Sequence, residues 1–309
     1  MTDTTDNTDR ILRADEVEPH AAVYLVEDGP EGPSRTLWCE RSERDGSPVF
    51  VGGFLPEPTS SLRLPDDGRR VETLVADVVT PPASNWKSGS WLIIDTETTG
   101  LAGAKIIELG AVIMREGQVV EHRCALYNPG KAIDPGATRV HGITDTHVAA
   151  RPRITERSPK TGRTPAEGLD ALCAEHDVKA IVGYNLLAFD LPLLRAELGD
   201  RWVELEAAIG CIVDPLVIVR LDDVGRMWKG QGRHKLTAVA DKLRLTAPEP
   251  GMVAQAHRAT WDCVLAGRIL WRLRAHVPDD ARDAHAFCAT RGSQQRADLD
   301  AYWAGRGAR

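Results

Sequence analysis

The chain has 309 residues, 42% of them hydrophobic and 27% charged, which is enough for one large or two modest domains with a buried interior. Its net charge of −7 is unevenly divided: residues 1–90 hold 17 Asp/Glu against 9 Lys/Arg, a balance of −8, while the rest holds 28 against 29, a balance of +1. No apolar run approaches membrane-spanning length, and the acidic opening MTDTTDNTDR is unlike a signal or transit peptide, so neither a membrane protein nor a secreted one is expected.

Residues 1–15 are too polar to build a core and are expected to form a disordered tail. Residues 16–90 hold short β-like runs at 22–26, 36–40, 48–54 and 71–79, separated by Gly and Pro, which predicts a small β-rich region of unassigned role. Its last stretch, TPPASNWKSGS at 80–90, has the composition of a linker. The six cysteines (Cys39, Cys124, Cys173, Cys211, Cys263 and Cys288) show no CxxC or zinc spacing, so buried free thiols in a reducing, cytoplasmic compartment are expected.

From residue 91 the pattern changes to alternating strands and helices, an α/β arrangement. WLIIDTETTGL opens with an apolar strand that ends in Asp95 and Glu97, two residues apart and therefore on the same face. Alone, such a pair would read as solvated charges at a strand end. The apolar stretch 106–114 predicts its antiparallel neighbour. Next, a strand at 180–183 is followed by Asn185, and GYNLLAFD places Asp190 at the start of a helix with Pro192 in its first turn; alone, Asp190 would read as a cap. Finally HRATWD puts His257 and Asp262 five apart, offset by roughly 140° on a helix of about 3.6 residues per turn. They share no stripe, so His257 is expected at the helix entrance and Asp262 on the helix itself. Four carboxylates and a histidine from three separate places suit a pair of Mg²⁺ ions, which prefer oxygen ligands, with the histidine free to move a proton. Residues 275–309 read as a helical extension whose Phe287, Leu299, Tyr302 and Trp303 either pack on the core or meet a partner.

Together these residues resemble the DEDDh exonuclease superfamily, which includes the proofreading subunit of bacterial DNA polymerase III and RNA-trimming ribonucleases. IDTETTGL is similar to its first motif, N-x-x-x-F-D at Asn185 to Asp190 to its second, and H-x-x-x-x-D at His257 to Asp262 to its third. IIELGAV, VHGIT, CIVDPL and HKLTAVADKL resemble intervening segments, so the likeness covers about 91–273 and only the basic stretch RPRITERSPKTGR at 151–163 departs from it. The resemblance implies a ribonuclease-H-like mixed β-sheet flanked by helices over 91–274. It further implies two Mg²⁺ ions, replaceable by Mn²⁺, held by Asp95, Glu97, Asp190 and Asp262, with His257 as general base. Substrate contacts would come from Thr98, Gly100, Leu101, His141 and Asn185. Two basic stretches, that at 151–163 and WKGQGRHK at 228–235, are candidate phosphate contacts or solvated loops, and Trp228 is a candidate base-stacking platform. The implied activity is 3′–5′ hydrolysis of DNA ends, with two alternatives: an RNA-trimming exonuclease, or a polymerase-associated subunit with a mainly assembly role.

Overall fold

The computed structural model describes residues 85–101, 103–225, 232–250 and 257–307, apart from the side chains at 300 and 303–307. Before residue 85 it describes the strand residues 11–13, 22–29, 32–44, 47–51, 61–63 and 70–74. The chain divides into two compact units, Met1–Val78 and Val79–Arg309.

In the first unit, β1 (Ile11–Arg13) pairs antiparallel with β5 (Ser61–Arg63). A four-stranded antiparallel sheet is formed by β4 (Ser47–Val51), β3 (Gly32–Arg44), β2 (Ala22–Gly29) and β6 (Arg70–Leu74), in that order. The rest of the expected tail at 1–15 lies outside the described residues, as do the side chain of Cys39 and residues Trp228 and Lys229.

The second unit is built on β7 (Ser90–Thr98), β8 (Ile106–Arg115), β9 (Gln118–Leu126), β10 (Val178–Val182) and β11 (Ile212–Val213), in the order β11-β10-β7-β8-β9. β7, β8 and β9 pair antiparallel, while β10 runs parallel to both β7 and β11. The central strand β7 is apolar on both faces because both are covered. Trp91 and Ile93 face one side, where α9 (Ala259–Leu273) supplies Trp261, Val264, Leu265 and Ile269. Leu92 and Ile94 face the other, against α3 (Pro165–His176), α4 (Asp190–Leu198) and α5 (Asp200–Ile209) through Leu172, Leu194 and Trp202. This two-sided mixed sheet is the ribonuclease-H-like arrangement expected from the sequence.

The connection from β9 to β10 carries the short helices α1 (Pro135–His141) and α2 (Asp145–Val148), and the segment from β11 to α9 carries α6 (Pro215–Val219), α7 (Asp222–Gly225) and α8 (Leu236–Leu243). The C-terminal extension is a 3₁₀ turn, Arg274–His276, and then a single 27-residue helix, α10 (Ala281–Gly307). Packing on the core is seen for the first part of this helix. Ala281, Ala284 and Cys288 are buried in the core with Phe287 against them, whereas Leu299 and Tyr302 are exposed; the side chain of Trp303 lies outside the described residues. In the described part of the stretch read as a linker, residues 85–90, Trp86 is fully buried and its Nε1 donates to Pro278 O at 2.8 Å. Among the described residues, no helix is long and apolar enough to cross a membrane. Of the cysteines expected to be buried, Cys124 is exposed on the outer strand β9, and the other described ones are buried.

Candidate active site

The strand period sorts the first cluster. Asp95 and Glu97 continue the side of β7 marked by Trp91 and Ile93, toward α9, while Thr96 between them turns to the α4 side. There the Thr96 backbone N–H and hydroxyl both donate to Asp190 Oδ1, at 3.0 and 2.6 Å. Asp190 is 3% exposed, so its carboxylate is bonded to β7 from the start of α4 instead of capping its own helix. Asp214 holds the preceding loop: it accepts N–H bonds from Asn185 at 2.9 Å, Leu187 at 3.3 Å and Leu216 at 2.9 Å. Asn185 itself sits at φ +65°, a left-handed conformation that asparagine tolerates.

Close approach of α9 brings in the third cluster. Asp95 pairs across the sheet with Gly110. A Cβ at Gly110 would stand 2.6 Å from the Ala259 carbonyl carbon and 2.7 Å from Thr260 N, so only glycine lets the first turn of α9 lie this close to β8. Asp262 falls in that turn, and His257 lies just ahead of the helix at φ +60°. The His257 N–H donates to Asp262 Oδ2 at 3.3 Å, and its ring Nδ1 is 4.0 Å from the same oxygen. Half of the His257 side chain is exposed, while Asp262 is buried. One ligand atom each from Glu97, His257 and Asp262 lie within 4.8 Å of one another.

Electrostatics bind these groups into one cluster. Burial, then the charges of Asp190, Asp262, Glu97 and Glu108, hold the Asp95 carboxyl well above the usual carboxylate range. Burial followed by Asp262 pushes Glu97 up to about 9. Burial likewise raises Asp190 and Asp262 to about 7, opposed by the bonds each accepts. Carboxylates placed so that they repel are poised for a cation. One oxygen, Asp262 Oδ1, is buried with no hydrogen-bond partner. An all-oxygen donor set with an orphaned carboxylate oxygen fits Mg²⁺ or Mn²⁺.

This cluster should make the metal-free protein sensitive to alkali. Because the folded-state pKa values lie above those of the unfolded chain, the folded state holds more protons between about pH 4 and about pH 9, and stability falls as pH rises through that window. The melting temperature in chelator should drop from about pH 5 to about pH 9, and added Mn²⁺ should restore it most at the alkaline end. A flat profile in chelator would mean that these acids do not meet as charged groups.

The remaining predicted residues lie in the loop after β7 and in the segment that braces it. The Thr98 hydroxyl donates to Gly100 O at 2.9 Å, Thr99 N–H to Lys105 O at 2.9 Å, and Asp134 N–H to Thr99 O at 2.8 Å. Gly100 has φ +148°, and a Cβ there would meet Asp134 Cβ at 3.2 Å. Leu101, at 87% exposure, belongs to no core and stands at the loop tip. His141 is buried, and both ring nitrogens are engaged. Nδ1 accepts from Ile143 N–H at 3.0 Å, so Nε2 carries the proton and donates to Thr98 O at 3.2 Å. Burial lowers its pKa, so it braces the loop as a neutral ring. In the basic stretch, Arg157 is taken up by a two-pronged pair with Glu167 at 2.7 and 2.8 Å. The sequence assigned no role to Thr96, Glu108, Gly110, Asp214 or Arg258, although each lies inside a quoted stretch: Thr96 in IDTETTGL, Glu108 and Gly110 in IIELGAV, Asp214 in CIVDPL and Arg258 in HRATWD.

Comparison with known proteins adds the following. A family model described as Exonuclease matches residues 92–270. The chain is 30% identical over 189 residues to a DNA polymerase III subunit epsilon-like protein of Rhodobacter capsulatus, covering 60% of this chain and 23% of that one. It is 28% identical over 160 residues to the DNA polymerase III subunit epsilon of Pasteurella multocida, covering 49% of this chain and 56% of that one. The chain thus spans under a quarter of the first relative and about half of the second. Among solved structures, exonuclease X in complex with 5′ overhanging duplex DNA aligns with a TM-score of 0.44 and 24% identity, over 64% of this chain and 99% of that one.

Proposed function

The chain belongs to the exonuclease family, and on that footing we propose that it is a metal-dependent 3′–5′ exonuclease of the DEDDh type acting on DNA ends. The observation that carries this reading is the convergence of Glu97, His257 and Asp262 within 4.8 Å, beside Asp95 and Asp190 in one repelling carboxylate cluster. Asp95, Glu97, Asp190 and Asp262 are the residues that would hold two Mg²⁺ ions. Bound there, the ions would neutralise charge building on the scissile phosphate and make the attacking water more acidic.

The chain's own residues then have separate tasks. His257, half exposed at the helix entrance, takes a proton from the water. The water oxygen bonds to phosphorus, the bond to the 3′ oxygen of the preceding nucleotide breaks, and that oxygen takes up a proton from solvent. The products are a nucleoside 5′-monophosphate and a strand shorter by one. Leu101, exposed at the tip of a loop fixed by Thr98, Gly100 and His141, is the residue offered to the terminal base. Asn185 shapes the turn that leads to Asp190. DNA is preferred over RNA because the relatives carry DNA polymerase names, and the same names make a polymerase a candidate partner.

Digestion of matched 5′-labelled DNA and RNA, single- and double-stranded, with Mg²⁺ or Mn²⁺ tests the reading. DNA should shorten stepwise from its 3′ end with release of mononucleotides, and chelator should stop it. Faster loss of RNA would move the substrate to RNA. Internal cuts, or no cleavage with either metal, would overturn the exonuclease proposal for this chain.

A further inference from the structure

Glu108 is a fifth carboxylate at the site, opposite Glu97 in the sheet and fully buried. Both of its oxygens are hydrogen-bonded. Its Oε1 accepts from Arg258 Nη2 at 2.6 Å and Nε at 3.1 Å, and its Oε2 accepts from Arg258 Nε at 3.3 Å and from the Ala259 backbone N–H at 3.0 Å. Arg258 is the residue that opens α9, between His257 and the helix. One carboxylate on β8 therefore grips both the side chain that starts the helix and the first N–H within it.

We propose that Glu108 and Arg258 form a positioning latch that fixes the His257–Asp262 turn against the sheet, and that Glu108 itself holds no metal. Three observations support this. Both Glu108 oxygens are spent on α9, leaving none directed at a cation. Gly110, two residues along the same strand, removes the side chain that would hold the helix off, so the latch closes a contact the backbone already permits. His257, directly before Arg258, sits in a left-handed conformation, and residues held this way persist where neighbouring contacts fix them. The latch rests on the exonuclease reading for its consequence on rate, but not for its effect on metal affinity.

The test is a set of four variants: Arg258→Gln, Arg258→Lys, Glu108→Gln and the double Glu108→Gln/Arg258→Gln. Each is measured for kcat and KM on single-stranded DNA, for Mn²⁺ affinity by calorimetry, and for melting temperature. Arg258→Gln leaves the Glu108 charge buried without its partner, and should lower kcat and Mn²⁺ affinity by about 10–100-fold with KM little changed. Arg258→Lys keeps the charge but not the fork, and should fall between. In the double variant, the amide oxygen introduced on β8 can still accept from Ala259 N–H and no lone charge remains, so kcat and Mn²⁺ affinity should recover in part. Glu108→Gln alone should keep Mn²⁺ affinity far better than loss of a ligand would allow. A purely structural pair would lower melting temperature alone, and folded Arg258→Gln with wild-type kcat and Mn²⁺ affinity would overturn the latch. Loss of Mn²⁺ binding in Glu108→Gln would make Glu108 a ligand and overturn it equally. If Arg258→Gln does not fold, the Lys variant and Glu108→Gln carry the same comparison. Absence of cleavage by wild type would count against the exonuclease reading, while the Mn²⁺ affinities would still decide the latch.

Discussion

An Asp95→Asn protein should lose on the order of 10³-fold or more of its nuclease rate, and yet its metal-free form should melt higher than wild type at alkaline pH. Both halves follow from the same placement. Asp95 lies within the central strand β7, three residues before its end, and its carboxyl is held far above the usual range by burial and then by Asp190, Asp262, Glu97 and Glu108. Replacing it with an amide of the same shape removes a charge from the middle of that cluster, so the folded state no longer has to retain a proton or bear the repulsion. Added Mn²⁺ should raise the melting temperature of wild type strongly and that of the variant little, because the central ligand is gone. Rate and metal-free stability thus move in opposite directions, which a variant that merely misfolds cannot reproduce. Wild-type turnover by folded Asp95→Asn would remove the two-metal reading, and a lower metal-free melting temperature at alkaline pH would mean that the carboxylates do not repel as placed.

What the sequence made legible was local. The two-residue period of a strand puts Asp95 and Glu97 on one face, and an apolar run ending in them says that the strand is central. Asp190 was legible as the first residue of a helix, but not its bond to Thr96, 94 positions away, because nothing in GYNLLAFD says which strand its carboxylate will meet. Glu108 was less legible still. Inside IIELGAV it reads as one charge on an apolar strand, and its meaning comes from Arg258, 150 positions later. Gly110 reads as a weak point in a strand until a helix is known to press on it at that spot. Trp86 sits in a stretch with the composition of a linker and is buried because the segment before α10 folds back over it. The polar α10 gave no stripe from which to divide it into a packed and an exposed part; what it meets is set by the fold, as Gln295 donating to Val217 O of α6 at 3.0 Å and Arg296 donating to Ala188 O of the loop before α4 at 3.2 Å show. Motifs that carry chemistry are short and local, whereas the groups that orient them are set by the fold.

His257 offers the sharpest division of roles, because its geometry permits two. Its ring lies within ligand range of Glu97 and Asp262, so it could hold a metal as well as move a proton. Its exposure and its place off the end of the helix favour the proton. The variant that separates them is His257→Asn. Position 257 has φ +60°, where alanine would add strain, while asparagine enters this region readily and can still present its backbone N–H to Asp262. If His257 is the general base, single-turnover rates should fall by about 10²–10⁴-fold while Mn²⁺ affinity and DNA binding stay near wild type. Because half of the side chain is open to solvent, the space it vacates should admit added imidazole, which should restore part of the rate. If His257 is a ligand, Mn²⁺ affinity should fall together with rate, and imidazole should act only by recovering metal. An Asn variant with wild-type rate would leave the proton to another acceptor and would take the chain out of the histidine subgroup, with the four carboxylates still able to hold metal.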